Sequence, residues 1–126
     1  MQRQIYYHDT DAGGVVYYAN YLKYLEEART EYFEQRGLGV APFLERGLLC
    51  AVRSCNIIYK APARYGDAIA ADARIVELTG ARIFFKQSVI NALTGKTLVE
   101  AEVVLVCLDK DFKPKPVPLE FIEKLS

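Results

Sequence analysis

Residues 18–37 read YANYLKYLEEARTEYFEQRG, and this stretch carries the long helical pattern on which the rest of the fold depends. Its apolar side chains recur at intervals of three and four residues, which is the spacing of one helix face. They are Tyr21, Leu25, Ala28 and Tyr32. Charged side chains fill the opposite face, and Gly37 stands where a residue of left-handed conformation usually closes a helix. The pattern predicts an amphipathic helix over residues 18–36.

Arg29 interrupts the apolar face of this helix. At about 100° of rotation per residue it falls between Leu22 and Leu25. An arginine in that position can lie along the core with its guanidinium head in water. Alternatively, it forms a buried ion pair with a carboxylate from another element. The sequence leaves both interpretations open.

The chain on either side of the helix is rich in strand patterns. Residues 3–8 predict a short strand before it, and after a linking segment at residues 41–46 four further strand patterns follow one another. They span residues 48–60, 68–78, 82–92 and 97–108, with turns marked by Pro62, Gly66, Gly80 and Thr94-Gly95. Because hairpin-linked strands form an antiparallel sheet and one helix must cover its apolar face, we expect an α+β fold. Beyond Asp109, three prolines predict an extended tail that ends in a short apolar segment, residues 119–125.

Length and charge point to one domain and exclude several classes of function. The chain has 126 residues, which is the size of a single domain over residues 1–126. Its 16 Lys and Arg residues balance 16 Asp and Glu residues, so we expect neither nucleic acid nor an anionic membrane surface as a partner. No signal peptide and no membrane-spanning run is visible, and we therefore expect a cytoplasmic protein.

The cysteines and the single histidine predict no metal site. Cys50, Cys55 and Cys107 are odd in number and have no CxxC spacing, so neither a disulfide framework nor a zinc cluster is indicated. His8 is the only histidine in the chain. We expect no metal and no cofactor.

The last strand pattern is apolar on both faces near its end. Val104, Val106 and Leu108 lie on the face that points away from the helix. A strand that is apolar on both faces is usually covered on both, and a surface near neutrality does little to oppose self-association. The pattern predicts a surface that is covered by another subunit.

The segment before the helix, YYHDTDAGGVVYYANY at residues 6–21, is the part of the chain best suited to chemistry. Asp11 is followed by Gly13, Gly14 and then the first helical turn. A helix start offers unpaired N–H groups and partial positive charge, which stabilise an oxyanion, and glycines let a ligand approach the backbone. A nearby carboxylate can activate water or attack a carbonyl carbon. Asp-rich turns with glycine are nevertheless mostly simple turns.

Three other interpretations of the polar residues are weaker. A calcium loop that began at Asp9 would need Glu at its twelfth position, which is Asn20. A cysteine nucleophile is disfavoured because all three cysteines lie in strand patterns. His8 is a candidate general base, but a single histidine beside a turn is more often incidental.

Three motifs resemble the hotdog-fold acyl-CoA thioesterases of the para-hydroxybenzoyl-CoA thioesterase family, most closely the branch associated with the Tol-Pal cell-envelope system. The first is the most specific and reads DTDAGGVVY at residues 9–17, followed by ANY at 19–21 and EARTE at 27–31. The second is YKAPARYGD at residues 59–67, and the third is EAEV at residues 100–103. Together they extend the likeness over nearly the whole chain.

The resemblance implies a five-stranded antiparallel sheet around one long helix, paired into a homodimer and often into a tetramer. It implies hydrolysis of short-chain, medium-chain or aromatic acyl-CoA at the subunit interface. The catalytic carboxylate of the motif falls on Asp11, and the backbone N–H that polarises the thioester carbonyl falls on Tyr18. Whether Asp11 acts as nucleophile or general base stays open. The Tol-Pal branch commonly has His where this chain has Tyr18, so the acyl preference also stays open.

The candidate residues for binding the rest of the substrate are Gly14, Lys60 and Arg64. Lys60 and Arg64 flank Pro62 and can meet phosphates, as can four other basic residues. These are Arg82, Lys86, Lys113 and Lys115.

Two alternative functions use the same architecture. One is a non-catalytic binder of acyl-CoA or acyl-carrier protein, and the other is a hotdog dehydratase that would need His8 in its pocket.

Overall fold

The computed structural model of the chain describes residues 1–126 and contains three α-helices and six β-strands. The helices are α1 (Asn20–Gln35), α2 (Val40–Glu45) and α3 (Leu119–Leu125). The strands are β1 (Gln2–Gln4), β2 (Leu48–Tyr59), β3 (Ala68–Ala71), β4 (Arg74–Thr79), β5 (Arg82–Asn91) and β6 (Thr97–Asp109). None of the helices has the length and apolar composition needed to cross a bilayer.

The strands form one antiparallel sheet in the order β1-β3-β5-β6-β2, with β4 paired to β5 beyond the end of β3. The expectation of five strands is wrong by one, because the pattern at residues 68–78 is broken into β3 and β4. The break lies at Asp72, whose Oδ1 accepts the backbone N–H of Ser88 at 2.7 Å. A side chain therefore takes the place of a ladder carbonyl, and residues 72–73 belong to neither strand.

Helix α1 packs its apolar face against the sheet, as the apolar pattern predicts. Its buried side chains include Tyr21, Tyr24, Leu25 and Ala28. At its C-terminus Gly37 has φ of 73°, and the N–H groups of Gly37 and Leu38 donate to the carbonyls of Glu34 and Phe33 at 3.0 and 2.8 Å. These two bonds form the Schellman motif that ends many helices. The helix starts at Asn20, two residues after the predicted start.

Arg29 is buried, at 8% exposure, but it has no carboxylate partner. Its Nη1 donates to Oε1 of Gln87 at 2.9 Å. The amide nitrogen of Gln87 in turn donates to the carbonyls of Leu25 and Asp72 at 2.9 and 3.2 Å. The ion-pair interpretation is therefore wrong, because the hydrogen-bond partner of the guanidinium is the neutral Gln87. The side chain lies along the core, and Arg29 borders a surface cavity. Burial lowers the pKa of Arg29.

Three segments differ from the predicted elements. Residues 3–8 form only the short β1 and then a 3₁₀ turn at Tyr7–Asp9, because Oδ2 of Asp9 accepts the N–H of Tyr6 at 2.8 Å and turns the chain. The predicted linking segment is helix α2. Its Phe43 is buried against Phe121 of α3, with 4.8 Å between the ring centroids. The apolar end of the predicted tail is therefore helix α3, which packs against α2.

The predicted subunit-covered surface at the end of β6 is partly covered by the chain itself. Leu108 is buried and pairs with Pro114 of the tail, while the N–H of Lys115 donates to the carbonyl of Cys107 at 2.9 Å. Val104 and Val106 are only half-buried. The extended tail therefore forms an additional short pairing along β6.

Candidate active site

The segment with Asp11 forms a closed loop, residues 9–17, which we call the Asp11 loop. The N–H of Asp11 donates to the carbonyl of Val15 at 2.9 Å, and the N–H of Tyr17 donates to the carbonyl of Asp9 at 2.9 Å. Thr10 and Val16 pair between these two bonds. The loop is therefore a small hairpin whose tip is the Asp-Ala-Gly-Gly sequence.

This loop is held against the helix and a neighbouring turn. The side-chain amide of Asn20, the first residue of α1, donates to the carbonyl of Asp9 at 3.0 Å. The N–H of Val16 donates to the carbonyl of Ala63 at 2.8 Å, and Val15 pairs with Arg64. The hydroxyl of Tyr21 accepts the N–H of Ala63 at 3.1 Å. These contacts fix the loop to α1 and to the turn after β2.

Asp9, the first residue of the Asp11 loop, is buried and only 6% exposed. Its carboxylate accepts the N–H of Tyr6 and lies 3.5 Å from Nη2 of Arg3. The Arg3 guanidinium also lies 4.5 Å from the ring centre of Tyr24. Burial of the Tyr24 phenol, with the charge of Asp9 nearby, raises the pKa of Tyr24. The first Asp of the motif is therefore structural, whereas the second is exposed.

The carboxylate of Asp11 is exposed, and only one of its oxygens is occupied. Oδ1 accepts the N–H of Gly13 at 2.8 Å. No protein group donates to Oδ2, and no cation lies within salt-bridge distance of either oxygen. A Cβ on Gly13 would lie 3.1 Å from Oδ1, and Gly14 has φ of 78°. The two glycines therefore let the loop turn closely around the carboxylate.

The backbone amide of Tyr18 is available at the start of the helix. Its N–H donates to no protein acceptor, whereas the preceding N–H of Tyr17 is taken by Asp9. The carbonyl of Tyr18 accepts from the N–H of Tyr21 and from the hydroxyl of Tyr59, both at 3.3 Å. Tyr18 lies in the turn two residues before α1. Because the N-terminal end of a helix carries partial positive charge, the amide beside it is suited to an oxygen that develops negative charge.

Exposed aromatic rings surround this helix start. Tyr18 lies edge-on to Tyr17 and Tyr59, with 5.2 and 6.0 Å between ring centroids, and Tyr59 also lies 5.7 Å from Tyr21. Burial raises the pKa of the Tyr21 and Tyr59 phenols. Neither Tyr59 nor Asn20 was predicted from the sequence as a site residue. Tyr59 stands in the YKAPARYGD motif, but only the pairing of β2 in the sheet brings it to Tyr18.

The other predicted binding residues differ in their ion pairs and in their position relative to the Asp11 loop. Arg64 is exposed beside the Asp11 loop, and its side chain makes no ion pair. Lys60 lies one residue after β2, and its Nζ is 3.2 Å from a carboxylate oxygen of Glu100. Lys115 is 3.9 Å from Asp109. His8 is exposed, stacks on Tyr6 with 5.8 Å between the rings, and lies 3.7 Å from Asp9 rather than in a pocket. This placement gives no support to a dehydratase site at His8.

A separate cavity of about 330 Å³ lies between the second half of α1, α2 and the start of β2. Its walls are mostly apolar, and Arg29 and Glu26 are the charged residues that line it. Neither Asp11 nor Tyr18 borders this cavity. Across the whole chain, no group of three His, Cys, Asp or Glu side chains is arranged to hold a metal ion.

The chain is similar in sequence to known thioesterases. Residues 6–125 match the family model of the thioesterase-like superfamily. The chain is 36% identical to the acyl-CoA thioester hydrolase YbgC of Escherichia coli O6:H1, over 98% of this chain and 92% of that protein. It is 39% identical to the acyl-CoA thioesterase YbgC of Haemophilus influenzae, over 90% of this chain and 82% of that protein.

Among solved structures, the fold matches a mutant 4-hydroxybenzoyl CoA thioesterase complexed with 4-hydroxybenzoyl CoA. The TM-score is 0.92 at 27% identity, and the match covers 100% of this chain and 96% of the other. The hotdog fold predicted from the motifs is thereby confirmed. The chain belongs to the thioesterase-like superfamily.

Proposed function

We propose that this protein hydrolyses the thioester bond of acyl-CoA, with Asp11 as the catalytic carboxylate and the N–H of Tyr18 as the oxyanion donor. The observation that carries the proposal is an exposed carboxylate, whose Oδ2 has no protein partner, in the same short segment as the unoccupied amide of Tyr18, which lies in the turn before α1. The names of the relatives, which are acyl-CoA thioester hydrolases and thioesterases, support the same reaction class.

In the reaction, the thioester carbonyl oxygen accepts the N–H of Tyr18, and negative charge accumulates there as the carbonyl carbon is attacked. One donor of this kind contributes about 3–4 kcal/mol to transition-state stabilisation. Asp11 either removes a proton from the attacking water or attacks the carbon itself to form an anhydride that water then opens. In both routes the C–S bond breaks, the CoA sulfur takes a proton, and the acid leaves.

The remainder of the substrate is assigned to exposed residues near the loop. Gly14, with no side chain to obstruct approach, permits the thioester to reach the backbone at the loop tip. Arg64, whose guanidinium makes no ion pair, is the stronger candidate for a CoA phosphate. Lys60 is the weaker candidate because Glu100 already neutralises it. The exposed rings of Tyr17, Tyr18 and Tyr59 provide an apolar wall for short, medium-length or aromatic acyl groups.

The proposal includes a homodimer, which can assemble further into a tetramer. Strand β2 is an edge of the sheet, is 12 residues long and is exposed from Val52 to Asn56. A long unpaired edge is a template for pairing with another strand. We therefore infer antiparallel pairing with β2 of a second copy. Light scattering coupled to size-exclusion chromatography should give twice or four times the mass of the chain, and a monomer would contradict this part of the proposal.

The protein is also assigned to the cytoplasm. Its three cysteines are free thiols, as in proteins of a reducing compartment.

The alternative function is a protein that binds acyl-CoA or acyl-carrier protein without turnover. One assay distinguishes it from a hydrolase. A panel of acyl-CoA substrates with detection of the released thiol gives turnover for a hydrolase and affinity alone for a binder. Turnover that Asp11→Asn abolishes would establish the proposed function.

A further inference from the structure

Two of the three cysteines face each other across neighbouring strands. Cys50 of β2 and Cys107 of β6 are directly opposite in the antiparallel register. The N–H of Cys107 donates to the carbonyl of Ala81 at 2.7 Å, and its carbonyl accepts the N–H of Lys115. Both backbone groups of Cys107 therefore point away from β2. The cysteines form a non-hydrogen-bonded pair, the kind in which the Cα atoms approach most closely, to about 4.5 Å.

The two thiols lie on the core face of the sheet but differ in access. Cys107 is fully buried, as are Val103 and Leu105 on the same face of β6. Cys50 is half-buried and lines the 330 Å³ cavity beside α1. Interaction with the Cys107 side chain, together with burial, raises the pKa of the Cys50 thiol. The sulfur of Cys107 is therefore buried in the core, whereas Cys50 is accessible to small molecules that enter the cavity.

We propose that Cys50 and Cys107 form a dithiol site that small oxidants, such as hydrogen peroxide, convert to an intrachain disulfide. The spacing of a directly opposed pair falls within the Cα separations of about 4.4–6.8 Å that disulfides adopt. Cys55 cannot do the same within one chain, because its register partner on β6 is Val103. The inference does not depend on the proposed hydrolase activity.

The chemistry balances with peroxide as the oxidant. A thiolate of the pair attacks one peroxide oxygen, the O–O bond breaks, and the products are a sulfenic acid and water after proton transfer. The second sulfur then attacks the first, the S–O bond breaks, and a second water leaves. Two S–H groups and one peroxide give one S–S bond and two waters. The contact between the two thiols raises the pKa of Cys50 and lowers the pKa of Cys107, so the first thiolate of the pair forms on Cys107. Because the attack needs a thiolate, the reaction should accelerate with pH.

The test uses the full chain carrying Cys55→Ser, which removes the exposed thiol and disulfides between chains. The folded protein is treated with hydrogen peroxide, then denatured with N-ethylmaleimide and weighed by mass spectrometry. We expect both thiols to disappear together with a loss of two hydrogens, about 2 Da, a peptide that links Cys50 to Cys107, and recovery of both thiols with dithiothreitol. Two alkylated thiols, added oxygen atoms without a cross-link, or a cross-link between chains would each overturn the proposal.

Two matched variants in the same background test the pairing itself. Cys50→Ser and Cys107→Ala each leave a single cysteine, which should remain free to alkylate or gain oxygen and should give no intrachain bond. The conclusion does not require these variants to fold, because the Cys55→Ser protein alone decides whether the disulfide forms. Faster loss of thiols at pH 9 than at pH 7 is expected, and a rate that does not change with pH would contradict thiolate attack.

Discussion

The side-chain amide of Asn20 donates to the main-chain carbonyl of Asp9 at 3.0 Å, and this bond joins the first residue of α1 to the Asp11 loop. The same carbonyl accepts the N–H of Tyr17 at 2.9 Å. One oxygen thus sets both the loop closure and the position of the helix start. The carboxylate of Asp11 and the amide of Tyr18 belong to the two parts that this oxygen holds together.

Asn20→Asp should lower activity without weakening the helix. The variant keeps the size of the side chain but replaces the NH₂ donor with an acceptor that faces the Asp9 carbonyl. A hydrogen bond of this kind is worth about 1 kcal/mol, so we expect kcat/KM to fall by about fivefold. The lost bond is opposed by the roughly 0.3–1 kcal/mol that an acidic residue contributes at a helix N-terminus, so the thermal midpoint should change by only a few degrees. Unchanged kcat/KM would show that the Asp9–Asn20 bond does not position the site.

Gly13→Ala should displace the carboxylate while leaving the fold intact. The new Cβ would lie 3.1 Å from Oδ1 of Asp11, and the backbone of Gly13 is outside the left-handed region. Because misplacement of a catalytic group by about 1 Å can cost roughly 100-fold, we expect kcat to fall by about tenfold or more. Gly39→Ala is the matched control, since that glycine also avoids the left-handed region and lies away from the loop. Equal activity of the two variants would exclude the effect.

Gln87→Met should destabilise the protein strongly. Gln87 is 4% exposed and bonds to Arg29, Leu25 and Asp72. Its loss leaves the Arg29 guanidinium and the Asp72 carbonyl without these partners, whereas the Leu25 carbonyl keeps its bond within the helix. We expect the free energy of unfolding in urea to fall by about 2–4 kcal/mol.

Two companions test the cause of this loss. Gln35→Met, on the exposed end of α1, should change the unfolding free energy by less than about 0.5 kcal/mol. The double variant Arg29→Met with Gln87→Met should recover part of the loss, because the unpaired buried charge is removed. A double variant less stable than Gln87→Met alone would contradict this explanation.

Acid should weaken the tail through Asp109. Its carboxylate accepts the N–H groups of Lys113 and Asp111, and these bonds lower the pKa of Asp109 in the folded protein. The stabilisation is therefore present above the unfolded pKa of about 4 and is lost as the pH falls through the lowered folded value. Asp109→Asn should be less stable than the parent at pH 7, and the difference should shrink as the pH falls below about 4. A difference that is constant with pH would refute this assignment.

The order of elements could be predicted from local patterns, whereas strand breaks and partners could not. The 3.6-residue period and Gly37 predicted α1 because both act within the helix itself. The division of strand 68–78 depends on Asp72 accepting from Ser88, which lies 16 residues away in sequence. The neutral partner of Arg29 is 58 residues away. Such contacts exist only after the sheet register is set, so no local pattern indicates them.

The same distinction applies to the site. Asp11 and Tyr18 stand in one short motif, and the resemblance was sufficient to propose them. Tyr59 reaches Tyr18 only through the sheet, and the pairing of Cys50 with Cys107 depends on the register of β2 against β6. Odd cysteine number and missing CxxC spacing excluded a disulfide framework, but these criteria cannot detect a cross-strand pair.

The most direct measurement is steady-state release of free CoA from a panel of acyl-CoA substrates by the parent protein and by Asp11→Asn. The variant keeps the size of the side chain and the Oδ1 acceptor for Gly13 while removing the base or nucleophile. We predict that kcat falls by at least about 100-fold and that the thermal midpoint stays the same. Release of CoA by Asp11→Asn at the parent rate, in a folded protein, would contradict the assignment of Asp11 as the catalytic residue.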